Sequence, residues 1–136
     1  MALAFDRESI EKVSGDSFID GNRVELLYKG LETFSAIFRS IEGATSFICL
    51  HFYIFRNDET GIRMAELLMS KAMEGVKVYV IYDHFGSLGT PWSFWDEMAD
   101  AGVRIRASRP LNWLSPHHYV RRDHRKLIIC DGVKAY

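Results

Sequence analysis

Apolar side chains recur along this chain with two periods, and the two periods alternate. Val24, Leu26 and Tyr28 alternate with polar neighbours, which predicts a strand over 23–29. Leu31, Phe34, Ile37, Phe38 and Ile41 then repeat at helical spacing, predicting an amphipathic helix over 31–42 that Gly43 ends. Residues 46–55 are almost continuously apolar and read as a central, buried strand. Arg56-Asn57-Asp58 leaves that strand, and Asp58 or Thr60 can cap a second helix. Its inner face is Met64, Leu67, Leu68 and Ala72, and it closes at Gly75. A third strand over 77–82 leads into a glycine-rich turn over 83–89. Thr90 is placed to cap a third helix with Pro91 at its first position and Trp92, Trp95, Met98 and Ala99 turned inward. A fourth strand covers 103–107, followed by a long loop over 109–120. Leu127 to Cys130, apolar at every position, reads as a strand buried on both faces. Asp131-Gly132 is a hairpin-turn pair, and 133–136 begin another strand.

Strands separated by single helices imply an α/β fold, a mainly parallel mixed sheet with helices packed on it. Residues 1–21 are polar with scattered apolar positions and form a lead-in segment, with a short helix near 8–13; residues 22–136 form the domain. A chain of 136 residues, 48% hydrophobic and 26% charged, suits one globular core. No apolar run reaches the roughly 18 residues of a membrane span, and the first residues are too short and too acidic for a signal peptide. Cys49 and Cys130 lie in apolar runs without metal-type spacing, as buried free thiols do.

The near-neutral net charge of −1 hides an uneven distribution. Residues 1–103 carry nine Lys/Arg against sixteen Asp/Glu, while residues 104–136 carry eight against two. The basic segment also holds His117, His118 and His124, which suits an anionic ligand. Its centre is His124-Arg125-Lys126. Two residues apart on an extended chain, His124 and Lys126 can reach one point. An imidazole beside an ammonium suits phosphate chemistry, the first as nucleophile or proton carrier and the second neutralising phosphate oxygens. In parallel sheets ligands bind beyond the carboxyl ends of strands, where Asp83 and Arg56 are expected. The histidines and cysteines show no zinc spacing, so no metal and no cofactor is expected.

The spacing His124, Lys126, Asp131 is HxKxxxxD, and the chain is identified by it as resembling the phospholipase D superfamily. "RRDHRKLIICDG", "HFYIFRNDETG" and "VYVIYDHFGSLG" resemble three blocks of bacterial cardiolipin synthases, and the resemblance runs from about Asn22 to Tyr136. It implies a phospholipase D-like half-domain with an α/β/α sandwich. It also implies a catalytic set of His124, Lys126 and Asp131. Asp131, seven residues beyond His124, is expected to form a turn or support the site from behind. Substrate-binding candidates are Arg122, Arg125, Asp83, Ser87 and His118. Relatives often carry a carboxylate at the position of His51, which is read here as a core histidine.

The reaction implied is a two-step transfer through phosphohistidine, one motif histidine attacking phosphorus and the histidine of a second motif protonating the leaving alcohol. This chain has a single copy of the motif. It is therefore expected to be the N-terminal half of a longer enzyme, cut before its site is complete, or one of two identical subunits. The first function expected is phosphatidyl transfer between phosphatidylglycerol molecules, at the cytoplasmic face of the bacterial inner membrane and without a membrane span of its own. Leu111, Trp113 and Leu114 are candidates to dip into lipid. A phospholipase D or nuclease acting as a homodimer is the alternative, with nucleic acid ranked behind anionic phospholipid as partner. A half-domain or dimerising module without activity of its own is the third.

Overall fold

A computed structural model describes residues 6–110 and 124–136. Its elements in order are α1 (Arg7–Ser14), α2 (Gly30–Glu42), β1 (Phe47–Phe52), α3 (Glu59–Met73), β2 (Lys77–Asp83), α4 (Trp92–Asp100), β3 (Arg104–Ser108), β4 (Lys126–Cys130) and β5 (Lys134–Ala135). The five strands form one sheet in the order β3-β2-β1-β4-β5. β1, β2 and β3 run parallel, while β4 is antiparallel to β1 and β5 to β4. The sheet is therefore mixed, and the α/β class read from the sequence holds.

Alternation along the strands shows where the core lies. Ile48 and Leu50 of β1, Val78, Val80 and Tyr82 of β2, and Ile128 and Cys130 of β4 are all buried. They meet Ile37, Phe38 and Ile41 of α2, Met64, Ala65 and Leu68 of α3, and Phe94, Trp95 and Met98 of α4. Such a one-sided row is what period-2 strands and period-3.6 helices produce when they share one core. Trp95 lies flat on Tyr82, with ring centroids 3.9 Å apart and planes at 9°.

The opposite sheet face carries Cys49, His51, Tyr79, Ile81, Leu127 and Ile129, partly exposed or exposed. Among the described residues the three long helices cover one face only, so the second helical layer of an α/β/α sandwich is not seen. Leu127 to Cys130 is correspondingly buried on one face: Leu127 is 38% exposed and Ile128 2%. His51 lies on the open face between Ile81 and Leu127, rather than in the core.

Two local expectations differ from what the structure shows. Residues 23–29 belong to no helix and pair with no strand among the described residues, and Val24, Leu26 and Tyr28 are exposed. A strand needs a ladder partner as well as a pattern. Pro91, not Thr90, occupies the N-cap of α4, which turns Phe94 inward and leaves Trp92 68% exposed.

Candidate active site

β4 runs antiparallel to β1, so its first residue lies at the carboxyl end of β1, with Lys126 opposite Phe52. β2 is parallel to β1 and ends at the same edge of the sheet with Asp83. His124 precedes β4 by two residues and sits at that edge too. Its ring stacks on Tyr53, the residue after β1, with centroids 4.0 Å apart and planes at 20°. His124, Arg125 and Lys126 are all exposed, as groups that meet a ligand from solution must be. Lys126 belongs to the strand row of Ile128 and Cys130, at the open end of that row.

Tyr53 is held by the β2–α4 loop. A side chain added at Gly86 would place its Cβ 2.2 Å from the Tyr53 carbonyl oxygen, so only glycine allows this approach. The Phe55 amide donates to Ser87 Oγ at 3.1 Å, and Thr90 Oγ1 donates to the Phe55 carbonyl. These three contacts fix the turn after β1 on which the His124 ring rests. Asp83 and Ser87 are 2% and 4% exposed. Asp83 Oδ1 accepts from the Phe85 and Gly86 amides, both at 3.0 Å, shaping the loop as an Asx turn does. Both residues are thus placed in the support of the site, behind its surface.

Asp131 is at the other end of β4, five residues or roughly 16 Å of extended chain from Lys126. Its backbone is left-handed, with φ 54°, in the β4–β5 turn completed by Gly132 at φ 70°. Its carboxylate accepts from the amides of Thr45, Ser46 and Phe47, each at 2.9 Å. Those donors hold its pKa down, from 3.8 to about 2. The Asp131 amide returns a bond to the Phe47 carbonyl at 2.9 Å. The motif carboxylate therefore clasps the start of β1 to the end of β4, fixing the register that sets Lys126 opposite Phe52.

Arg122 and His118 lie outside the described residues, as do Leu111, Trp113 and Leu114. Cys49 and Cys130 are free thiols, one partly buried and one buried, and burial raises the pKa of both. Among the described residues no three His, Cys, Asp or Glu side chains gather as a metal site, and no helix is long and apolar enough to cross a membrane. A hollow of about 730 Å³ lies at the far sheet edge between α2, β5 and the 23–27 segment, and His124 does not line it. Nearer the site is an open hollow of about 560 Å³ lined by Arg56, Phe85, Gly86 and Leu88. Sequence reasoning missed Tyr53; it sets Gly86 in the turn and Thr90 at a helix cap without linking either to the support of His124. The available signal was an aromatic immediately after a buried strand, facing a glycine-rich turn at the neighbouring strand end.

No protein-family model matches the chain. It is similar to cardiolipin synthase A of Pseudomonas syringae pv. syringae (strain B728a), 37% identical over 129 residues, covering 94% of this chain and 27% of that protein. It is similar also to cardiolipin synthase A of Pseudomonas putida (strain W619), 40% identical over 116 residues, covering 85% of this chain and 24% of the relative. The chain thus spans about a quarter of the length of the curated relatives it matches. Among solved structures, polyphosphate kinase from Porphyromonas gingivalis aligns with a TM-score of 0.49 at 21% identity, over 63% of this chain and 15% of that one, a likeness too slight to bear on function. The resemblance to bacterial cardiolipin synthases read from three sequence blocks therefore extends over most of the chain.

Proposed function

We propose that this chain supplies one half of the active site of a phosphatidyltransferase that joins two phosphatidylglycerol molecules into cardiolipin. The observation that carries the reading is the placement of His124 and Lys126 together at the carboxyl edge of the sheet, in a chain similar to cardiolipin synthases over 94% of its length. Lys126 offers an ammonium to the non-bridging phosphate oxygens, where negative charge builds up as phosphorus is attacked. His124 is one of two histidines the reaction needs. The nucleophilic imidazole nitrogen forms a bond to phosphorus while the phosphorus–oxygen bond to glycerol breaks, and the second imidazolium gives the leaving oxygen its proton. The second histidine then takes a proton from the hydroxyl of another phosphatidylglycerol. That oxygen attacks phosphorus and the phosphorus–nitrogen bond breaks, which restores the nucleophile as neutral imidazole and leaves the second histidine as the imidazolium that begins the next cycle.

The partner histidine belongs, in this reading, to a second HxKxxxxD half of the same protein or to an identical subunit. Arg125, with Arg122 and His118, adds positive charge for the diester of an anionic lipid. Asp131 acts through the register of β4 and not at phosphorus. The site works against the cytoplasmic face of the inner membrane, where phosphatidylglycerol is presented. Asp83 and Ser87 serve by holding the turn beneath His124.

The test is product analysis with phosphatidylglycerol vesicles and the whole protein. Equimolar cardiolipin and glycerol are expected. Phosphatidic acid and glycerol in place of cardiolipin would make the protein a hydrolase, with water as acceptor. No turnover of phosphatidylglycerol, with cleavage of a nucleic-acid diester instead, would overturn the lipid reading.

A further inference from the structure

The β2–α4 loop has its polarity turned inside out. Three of its polar side chains point inward: Asp83 is buried, and Ser87 and Thr90, 4% and 7% exposed, grip the Phe55 backbone, while His84 is half-buried beside Trp92 with ring centroids 6.2 Å apart. Its large apolar side chains point outward: Phe85 is 53% exposed, Leu88 54%, and Trp92, at the start of α4, 68%. A surface loop in contact with water usually does the reverse, and a contiguous exposed apolar patch marks an interaction site. The three residues are contiguous. Leu88 lines one hollow with Phe85 and a second with Trp92.

Position and charge narrow the partner. The loop rises from the sheet edge that carries His124, and its Gly86 packs on the residue that stacks on the His124 ring. Residues 84–92 contain no acidic side chain, and Arg56 lines the same hollow as Phe85 and Leu88. Asp58 lines it as well and keeps its negative charge while capping α3 through the Gly61 amide at 2.9 Å, so the hollow itself pairs one carboxylate with one guanidinium, and the apolar tip beyond it carries no charge of either sign. An apolar patch with a tryptophan at its margin and an arginine beside it matches the boundary between lipid headgroups and acyl chains. Indole settles there, and a guanidinium meets phosphate.

We propose that Phe85, Leu88 and Trp92 form a docking surface for an anionic lipid bilayer, inserting beside the site so that His124 and Lys126 face the headgroup layer. This inference rests on the lipid-transferase reading for its purpose, but its physical content is membrane binding alone. The loop is suited to insertion because its backbone is anchored from below: ordering it on the membrane costs little conformational entropy.

The test is co-sedimentation of this chain with vesicles of phosphatidylglycerol and phosphatidylcholine, comparing it with the triple variant Phe85→Ser, Leu88→Ser, Trp92→Ser. The exposed positions leave the core intact, which an unchanged thermal melt verifies. The partition coefficient is expected to fall by roughly tenfold or more in the variant. Binding by the unchanged chain is expected to persist in part at about 0.5 M salt, where the screening length is only about 4 Å. Fluorescence quenching by brominated lipid is expected to weaken in Trp92→Phe. Failure of the unchanged chain to sediment, equal binding by the triple variant, or complete loss of binding in salt would each overturn the proposal. So would a dimer of this chain, dissolved by the triple variant, that shows no affinity for vesicles. Binding requires no turnover. A protein that docks through this patch yet makes no cardiolipin would refute the transferase reading and leave the surface standing, whereas an active transferase indifferent to the variant would do the opposite.

Discussion

Gly86→Ala adds a single methyl group at the point where the β2–α4 loop touches the support of His124. The new Cβ would lie 2.2 Å from the Tyr53 carbonyl oxygen and 3.1 Å from both the Tyr53 carbonyl carbon and Cε2. Even a close carbon–oxygen contact is about 3.3 Å, so roughly 1 Å must be made up by movement. The loop is poorly placed to yield, because the Gly86 amide is bound to Asp83 Oδ1 and Ser87 holds the Phe55 amide. Tyr53 must move, and the His124 ring stacked on it at 4.0 Å loses its platform. Overpacking of this kind costs about 1–3 kcal/mol of stability. A displacement of about 1 Å at a reacting group costs on the order of 100-fold in rate, about 2.7 kcal/mol of barrier. The readout on this chain is the proton shift of the His124 ring, which the Tyr53 ring current moves upfield; the shift should collapse in Gly86→Ala. In the whole protein, kcat should fall about 100-fold. Met98→Ala is the control: Met98 is 0% exposed, so the change should cost about 2–5 kcal/mol and leave the His124 shift alone. An unmoved His124 signal in Gly86→Ala, with the melting temperature lowered as in the control, would refute the reasoning.

Four further outcomes follow from the same geometry. Ile128→Ala should lower unfolding free energy in urea by about 2–5 kcal/mol and Leu127→Ala by under about 1 kcal/mol; equal losses would contradict a sheet covered on one face. Ser87→Ala strands the Phe55 amide in the interior and should cost about 1–3 kcal/mol, measured by the same titration; a neutral result would show that another acceptor takes its place. Asp131 has a folded pKa of about 2 against 3.8, so its stabilising effect is complete above about pH 4 and fades as pH falls toward 2. The stability gap between the unchanged chain and Asp131→Asn should therefore narrow across that window, and a gap constant from pH 5 to 2 would speak against the carboxylate clasp. Lys126→Met should depress phosphatidyl transfer by roughly 100-fold or more, and unimpaired turnover would remove the ammonium from the mechanism.

Much of the fold was legible because periodicity reports burial directly. The stripes Ile37, Phe38, Ile41 and Met64, Leu68 forced helices, and the run around Ile48 and Leu50 forced a strand between them. Legibility stopped where an outcome depends on a partner distant in sequence. The pattern of Val24, Leu26 and Tyr28 is that of a strand, yet no described strand pairs with it. Leu127 and Ile128 are equally apolar, and only the sheet's packing separates the exposed one from the buried one. At the β2–α4 loop the sequence offered Asp83 and Ser87 as ligand groups beside a strand end, and it could not show that Asp83 Oδ1 also accepts from the Phe85 and Gly86 amides and Ser87 Oγ from the Phe55 amide. Within the site, HxKxxxxD located His124, Lys126 and Asp131 without showing that the third lies at the opposite end of β4, bound to the Thr45–Phe47 amides. Tyr53 was invisible because stacking on His124 joins residues 71 positions apart, which no spacing rule reaches.

The central claim is that His124 carries phosphoryl-transfer chemistry on a lipid diester. The most direct measurement is cardiolipin formation from radiolabelled phosphatidylglycerol by the whole protein and by His124→Ala, with matching circular dichroism to verify folding. Cardiolipin formation by the first and a loss of about 1,000-fold or more in the second is the predicted result, since a histidine in covalent or acid–base catalysis has no substitute in alanine. Equal rates for the two proteins would contradict the assignment of His124 and, with it, the mechanism built on this edge of the sheet.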